Sequence, residues 1–160
     1  MHWPTPDPDR LNRWLTLLAH LGVLAGLLLL IIELGQNRQM TRAQTRNELA
    51  MGVINLMTVA AGDSQLAGII RRADAGEELT ADEYQQYRRY TIAIYRYYEN
   101  AFYQYRQGLY DKPEFDAQQE AWKSYAARSE ASVAVWCEVR TYFSPDFAAA
   151  MDQILTTYQC

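Results

Sequence analysis

Histidine and cysteine are scarce in this chain of 160 residues, which contains two of each. His2 and His20 leave little material for histidine-based catalysis or for a metal site. Two cysteines are too few for the disulfide framework that holds many small secreted domains together. We therefore expect neither a bound metal nor a cofactor.

The motifs of common enzyme classes are missing as well. The sequence has no H-E-x-x-H, C-x-x-C, G-x-S-x-G, Walker A or G-x-G-x-x-G pattern. Cys137 falls in a predicted helix and Cys160 ends the sequence, and no histidine lies near either one. We expect a buried thiol and a free thiol on a tail, which in an oxidising compartment could link two chains. The sequence predicts a protein that is not an enzyme.

Positive charge is not in excess. The chain has 15 Lys and Arg against 19 Asp and Glu, a net charge of −4. Proteins that bind nucleic acid usually carry a basic face, so we expect no nucleic-acid partner. Apolar residues make up 49% of the chain, which excludes wholesale disorder. No segment alternates in the pattern of a strand, so we expect an all-α fold with one ordinary domain and an appendage.

The most prominent feature present is an uncharged apolar run over residues 14–32. A helix of this length spans roughly 28 Å, about the thickness of the hydrocarbon core of a bilayer. A buried core helix would show a polar face, and a cleaved signal peptide would have a shorter run and a small-residue cleavage site. We predict a tail over residues 1–13, a retained transmembrane helix over 14–34 and a helical extramembrane domain over 35–160.

The flanks of this run bear on its orientation. Trp3, Trp14 and Arg38 are predicted to lie at the membrane interface, where such side chains are common. Two arginines precede the run and three follow within a short stretch, which favours a cytoplasmic C-terminal domain by one residue. These arginines are Arg10, Arg13, Arg38, Arg42 and Arg46.

A stripe of small residues marks one face of the predicted transmembrane helix. At about 100° per residue, Ala19, Gly22, Gly26 and Glu33 fall within about 60° of one another. Small residues let helix backbones approach closely in lipid, so the stripe predicts a packing interface with another membrane helix. The alternative is that the glycines occur by chance and that Glu33 reaches the headgroups.

Local signals predict further helices, at about residues 36–61, 64–74, 81–107, 113–128, 130–142 and 145–157, with a bend at Gly35. The third begins with a capping box, Thr80 to Glu83, and has Gly108 after its end. Tyrosines in it follow a heptad spacing that is more typical of a bundle core than of a binding surface. That stripe is Tyr84, Tyr87, Thr91, Ile94, Tyr98, Ala101 and Tyr105.

A polar group lies in the middle of the tyrosine-rich helix. Glu99 follows Tyr95 by four residues, so its carboxylate should point partly inward and need a partner. We predict a polar hub or, alternatively, a ligand contact formed by Glu99, Asn100, Tyr103 and Arg106. The candidate partners of Glu99 are Arg96, Arg106, Arg128 and Arg140.

The order of these segments resembles an uncharacterised bacterial family of single-pass, membrane-anchored small helical-bundle proteins. The matching segments are 33–37, 63–67, 79–83, 99–108 and 143–147, of which Glu-Asn-Ala-Phe-Tyr-Gln-Tyr-Arg-Gln-Gly is the most specific. The resemblance implies an all-α fold with one N-terminal transmembrane helix and a four- to five-helix bundle, located in the bacterial inner (cytoplasmic) membrane. It implies no activity.

These patterns predict an accessory or scaffolding subunit of a membrane protein assembly. Its partners would be the lipid bilayer and other membrane-protein subunits or copies of itself. One alternative is a membrane-tethered module that senses a ligand or signal near Glu99, Tyr103 and Arg106. A further alternative is an oligomeric pore lined by Glu33.

Overall fold

The computed structural model of the chain describes residues 8–155 and residue 160. Helices make up 87% of the described residues, and no strand occurs among them. The α-helices are α1 (Pro8–Gly62), α2 (Ser64–Asp74), α3 (Ala81–Arg106), α4 (Lys112–Ala126), α5 (Glu130–Val139) and α6 (Pro145–Ile154), with a short 3-10 helix at Arg140–Tyr142. The all-α prediction is confirmed for this part of the chain.

The chain divides into two units, Met1–Thr41 and Arg42–Cys160, and the division falls within α1. In the first unit, every side chain from residue 9 to residue 41 is exposed. Over residues 14–32 the apolar side chains surround the helix and leave no polar face. In the described part of the chain, α1 is the one helix long and apolar enough to cross a membrane.

Helix α3 lies at the centre of the second unit, where it packs against α2, α4 and α5. It buries Tyr87, Tyr95 and Tyr98, and the neighbouring helices bury Trp122 and Trp136, both with no exposed area. Aromatic side chains of this size dominate the energy of a small core. The second unit therefore has a hydrophobic core of its own.

The buried tyrosines pack their rings against tryptophans, and the Tyr95 hydroxyl is also hydrogen-bonded. The Tyr98 ring stacks on Trp122 with centroids 4.8 Å apart, and the Tyr95 ring lies 5.0 Å from that of Trp136. The Tyr95 hydroxyl donates to the carbonyl of Ser132 at 3.1 Å. Every member of the predicted tyrosine stripe is buried or half-buried, so this stripe faces the bundle core.

The part of α1 that belongs to the second unit packs through one face. Thr45 and Leu49 are buried there, and the Tyr90 hydroxyl donates to the backbone carbonyl of Leu56 at 3.3 Å. A Cβ at Gly52 would lie 3.2 Å from the ring of Tyr97, so the missing side chain permits this close approach. This segment is therefore held against α3.

The helix ends follow the local capping signals. The Asp63 carboxylate accepts the first backbone N–H groups of α2, and Thr80 and Glu83 form the complete capping box of α3. Gly76 and Gly108 have φ angles of +74° and +68°, a region that disfavours residues with a Cβ. The chain can therefore reverse direction after α2 and after α3.

The helix bounds differ from the prediction at the N-terminal end. Residues 8–13 of the predicted tail belong to α1, while residues 1–7 lie outside the described residues. The segments predicted over 14–34 and 36–61 form one continuous helix, as expected for a membrane helix that continues outward as a rod. Pro8 suits the first turn of a helix, and a lone glycine such as Gly35 costs only about 1 kcal/mol relative to alanine in a helix interior. The expected bend at Gly35 does not interrupt the helix.

Three bounds also differ toward the C-terminus. Helix α4 ends at Ala126 rather than 128, and α5 ends at Val139 and continues as 3-10 helix to Tyr142. The tighter turn occurs because Ser144, which precedes Pro145, is disfavoured from the helical region, so the helix ends before it. Helix α6 ends at Ile154, and the end predicted at residue 157 lies outside the described residues.

The two cysteines correct another expectation. Cys137 and Cys160 form a disulfide bond within the chain, with their Cα atoms 5.2 Å apart. The prediction of a buried thiol and a free tail thiol is therefore wrong. The spacing of the two cysteines in the sequence could not predict the disulfide, because only the fold brings α5 close to residue 160.

Candidate functional site

The predicted packing stripe lies on the part of α1 in the first unit. Ala19, Gly22, Gly26 and Glu33 are all exposed, and a Cβ placed at either glycine would meet no atom within 4 Å. The stripe is thus open to a partner helix, and the small side chains would let that partner approach closely. No described residue of the chain covers it.

The predicted interface anchors lie on the same helix. Trp14 is 64% exposed and Arg38 is also exposed, as a side chain facing lipid headgroups would be. Trp3 lies outside the described residues. Trp14 is the first residue of the apolar run, and Arg38 follows the end of the run by six residues.

The predicted polar hub is assembled on the second unit. Glu99, Asn100, Tyr103 and Arg106 all border one cavity of about 360 Å³, together with Arg96, Phe102 and Ser144. Residues 99, 103 and 106 come together because spacings of three and four place side chains on one face of α3. The structure therefore brings the four predicted residues to one place.

Glu99 uses both carboxylate oxygens within the protein. Arg96 Nη1 lies 2.6 Å from Glu99 Oε2, and the backbone N–H of Ser144 donates to Oε1 at 2.7 Å. Arg96 also donates to the carbonyl of Tyr142 at 2.8 Å and lies 4.2 Å from the ring centre of Phe143. Burial favours a higher pKa for Glu99, but these hydrogen bonds outweigh it and lower the pKa.

The other candidate arginines bind different carboxylates. Arg106 pairs with Asp146, while Arg128 and Arg140 pair with Asp74 and Asp152. Tyr103 is 56% exposed and Asn100 accepts a hydrogen bond from Gln104. The Arg106–Asp146 pair and the bond from Ser144 to Glu99 join α3 to the start of α6. For Glu99 and Arg106 the geometry is that of a structural hub.

Sequence reasoning missed a larger cavity in the second unit. It has a volume of about 650 Å³ and lies between the second-unit part of α1 and helices α2 and α3. Its walls are mainly apolar, and its polar members include Asp63, which caps α2, and Arg89, which is exposed and forms no ion pair with a described residue. The lining residues are Gly52, Asn55, Leu56, Val59, Asp63, Leu66, Gln86, Arg89, Tyr90, Ala93 and Tyr97.

The cavity combines a mainly apolar interior with one arginine, Arg89. Burial raises the pKa of Tyr97 to about 12, so its phenol stays protonated and donates to Gln118 at 3.3 Å. No group of three or more His, Cys, Asp and Glu that could hold a metal ion occurs among the described residues.

Comparison of the chain with protein-family models, with curated protein sequences and with solved structures gave no match. The resemblance to a bacterial family of anchored helical bundles therefore stays a prediction.

Proposed function

We propose that this protein is a non-catalytic, membrane-anchored accessory or scaffolding subunit of a membrane protein assembly. The observation that carries the proposal is the apolar helix of the first unit, whose side chains are exposed all round. Covering one leucine side chain is worth about 1.5–3 kcal/mol, so leaving this whole surface in water would be very unfavourable. A lipid bilayer would cover the whole of this apolar surface.

The stripe of small residues supports an assembly rather than a lone anchor. Lipid tails are as apolar as leucine, so helices associate in a bilayer by close packing. Gly22 and Gly26 offer the flat surface that close packing needs, and no described residue fills it. The second unit, with its own aromatic core, would then serve as the extramembrane contact of the subunit.

The test is the mass and subunit content of the complex after mild extraction from the native membrane. We expect a stoichiometric assembly, and we expect Gly22→Leu with Gly26→Leu to reduce it while the second unit stays folded. The matched control is Leu21→Ile with Leu28→Ile, which keeps the apolar volume and avoids the stripe. A monomer of 18.5 kDa would contradict the proposal.

The bacterial inner membrane is the proposed location. Two observations bear on which side of this membrane the second unit occupies. The arginine count favours a cytoplasmic second unit by one residue. The Cys137–Cys160 bond favours an oxidising compartment, because cytosolic thiols are kept reduced. We give the bond more weight and propose that the second unit faces outward. Protease added to spheroplasts should digest it, whereas protection would restore the cytoplasmic assignment.

The cavity at Arg89 favours a second candidate function, a ligand-sensing module. A mainly apolar interior with one arginine at its edge suits a small carboxylic acid with an apolar body. Octanoate should raise the melting temperature of the protein and octanol should do so less, since a ligand that binds only the folded state stabilises it. Arg89→Gln should abolish the difference between the two probes.

A further inference from the structure

The second unit carries an apolar stripe on α1 that faces away from its own core. We define this outer stripe as Ala43, Asn47, Ala50, Ile54, Met57 and Ala61, all of which are exposed. Ile54 and Met57 are 49% and 52% exposed. At about 100° per residue, the outer stripe lies roughly 150° from the face that packs on α3. Ala43 and Met57 lie at its borders, where each also lines a small cavity that α1 forms with the rest of the second unit.

The spacing of the outer stripe is that of a coiled coil. Its members follow one another at intervals of four, three, four, three and four residues. In heptad notation, Asn47, Ile54 and Ala61 take position a, and Ala43, Ala50 and Met57 take position d. A repeat of 3.5 residues keeps a stripe in contact only with another helix that supercoils around it. The geometry therefore points to a helical partner.

We propose that the outer stripe pairs with the outer stripe of a second copy of this chain, in a parallel coiled coil. Asn47 carries both a donor and an acceptor on one carboxamide, so the two copies of Asn47 can bond to each other across the pair. A single Asn at position a sets the register and the number of helices. An apolar partner would leave the amide unsatisfied.

The charges beside the outer stripe permit this pairing. The flanking e positions are Gln44, Met51 and Thr58, and the flanking g positions are Arg46, Val53 and Ala60. In a parallel pair, Arg46 of one chain faces Met51 of the other, and Val53 faces Thr58. No like charges meet, whereas repulsion at these positions is the usual barrier to pairing of identical helices.

The proposal rests on the proposed function in one respect, because a shared membrane would hold two chains parallel. In the sequence, the same alternation of three and four runs back through Met40, Gln36, Glu33, Leu29, Gly26, Gly22 and Ala19. The stripe of small residues in the first unit and the outer stripe therefore follow one continuous heptad repeat in the sequence. Glu33 is the one charged position in this pattern, so the test uses the outer stripe, whose six members are uncharged.

The test is cross-linking of the full chain in native membranes. Ala43→Cys and Ala50→Cys place a thiol at position d, and Glu48→Cys places one on the same helix outside the outer stripe. After mild oxidation, we expect a species of twice 18.5 kDa for both stripe variants and little for Glu48→Cys or the wild-type chain. Equal cross-linking at all three positions, or none, would overturn the proposal, as would a product with a different protein.

A second variant tests the role of Asn47. Asn47→Asp brings two carboxylates together in the pair, so it should weaken the pairing on the order of tenfold and reduce cross-linking through Ala50→Cys. Glu48→Gln should leave both the pairing and the cross-linking through Ala50→Cys unchanged. Membrane retention and complex mass are measured on the same sample. If the chain stays in the membrane and assembles but forms no cross-link, only the outer-stripe pairing is wrong. If the chain is lost from the membrane, the proposed function is wrong.

Discussion

The two units differ in how far their large apolar side chains are exposed. In the first unit, Leu24 and Leu28 are 57% and 62% exposed, and the helix has apolar residues on every side. In the second unit, Trp122 and Trp136 have no exposed area, although the chain around them is much more polar. The difference lies in the angular distribution of apolar residues, since a helix can fold onto a core only through a stripe.

Helix α3 shows what the first unit lacks. Its buried positions, such as Tyr87 and Tyr98, are separated by exposed polar residues such as Gln85 and Arg89. Water therefore solvates one face while the core covers the other. Residues 14–32 of the first unit have no such division, and the proposed membrane span rests on this pattern.

The largest effect is expected from the core of the second unit. Trp136→Ala removes a ring that lies 5.0 Å from Tyr95 and 5.3 Å from Phe143, and also the hydrogen bond to Asp152. We expect the free energy of unfolding to fall by about 3–5 kcal/mol, because little can move to fill the cavity. Urea unfolding of the full chain in detergent measures it.

The matched control for this change is Tyr103→Ala, which removes an exposed aromatic side chain from α3. It should change the free energy of unfolding by no more than about 0.5 kcal/mol. A similar loss for both variants would mean that the aromatic residues of the second unit do not form a core.

A charge in the first unit should act on membrane insertion and spare folding. Leu24→Arg places a charge near the middle of the apolar run, where an arginine costs about 2.5–3.5 kcal/mol on insertion. We expect much of the protein to leave the membrane fraction after alkaline extraction. Leu24→Phe should stay in the membrane. If both variants are retained, the apolar run does not span a bilayer.

The disulfide should stabilise the second unit by a smaller amount. Cys137 and Cys160 are 23 residues apart, and closing a loop of this size contributes about 2–4 kcal/mol. Adding reductant should lower the urea midpoint of the wild-type chain by a corresponding amount. The Cys160→Ser variant should show no dependence on reductant, and a wild-type chain equally indifferent to reductant would argue that the bond does not form.

The smallest effect concerns acid stability. The hydrogen bond from Arg72, with that from the Thr80 backbone, lowers the pKa of Glu83 from 4.5 to about 2. Because the pKa is lower in the folded state, the carboxylate stabilises the fold above pH 4.5, and this contribution is lost as the pH falls toward 2. Glu83→Gln should flatten that part of the stability profile, as measured by melting temperature against pH.

The control for this prediction is Glu78→Gln, which neutralises a nearby exposed carboxyl group that forms no ion pair with a described residue. The slope between pH 4.5 and 2 should then match that of the wild-type chain. An unchanged slope in Glu83→Gln would show that the pairing with Arg72 contributes nothing to stability.

The capped starts of helices such as α3 were the most predictable part of the fold, because capping is local chemistry. Thr80 and Glu83 lie three residues apart, and α3 begins where that spacing places it. The four hub residues were also found, since all lie on one helix with helical spacing. The partner of Glu99 required the structure, because four arginines were available in the sequence and Arg96 is the one in contact.

Features formed between distant segments escaped prediction. The large cavity joins Gly52 to Tyr97, and the disulfide joins Cys137 to Cys160. Each depends on how helices pack, and spacing within one helix carries no information about that. The 3-10 turn at Arg140–Tyr142 was missed for a different reason, since helix ends differ by one or two residues even between similar sequences.

The contact between Glu99 and Ser144 makes the last helix dependent on one made much earlier. The Ser144 side chain forms no capping bond, and the N–H of Ser144 is held by Glu99, 45 residues back in the chain. A peptide that carries α6 without α3 therefore lacks the acceptor for this N–H, so α6 depends on tertiary structure for a hydrogen bond at its N-terminus.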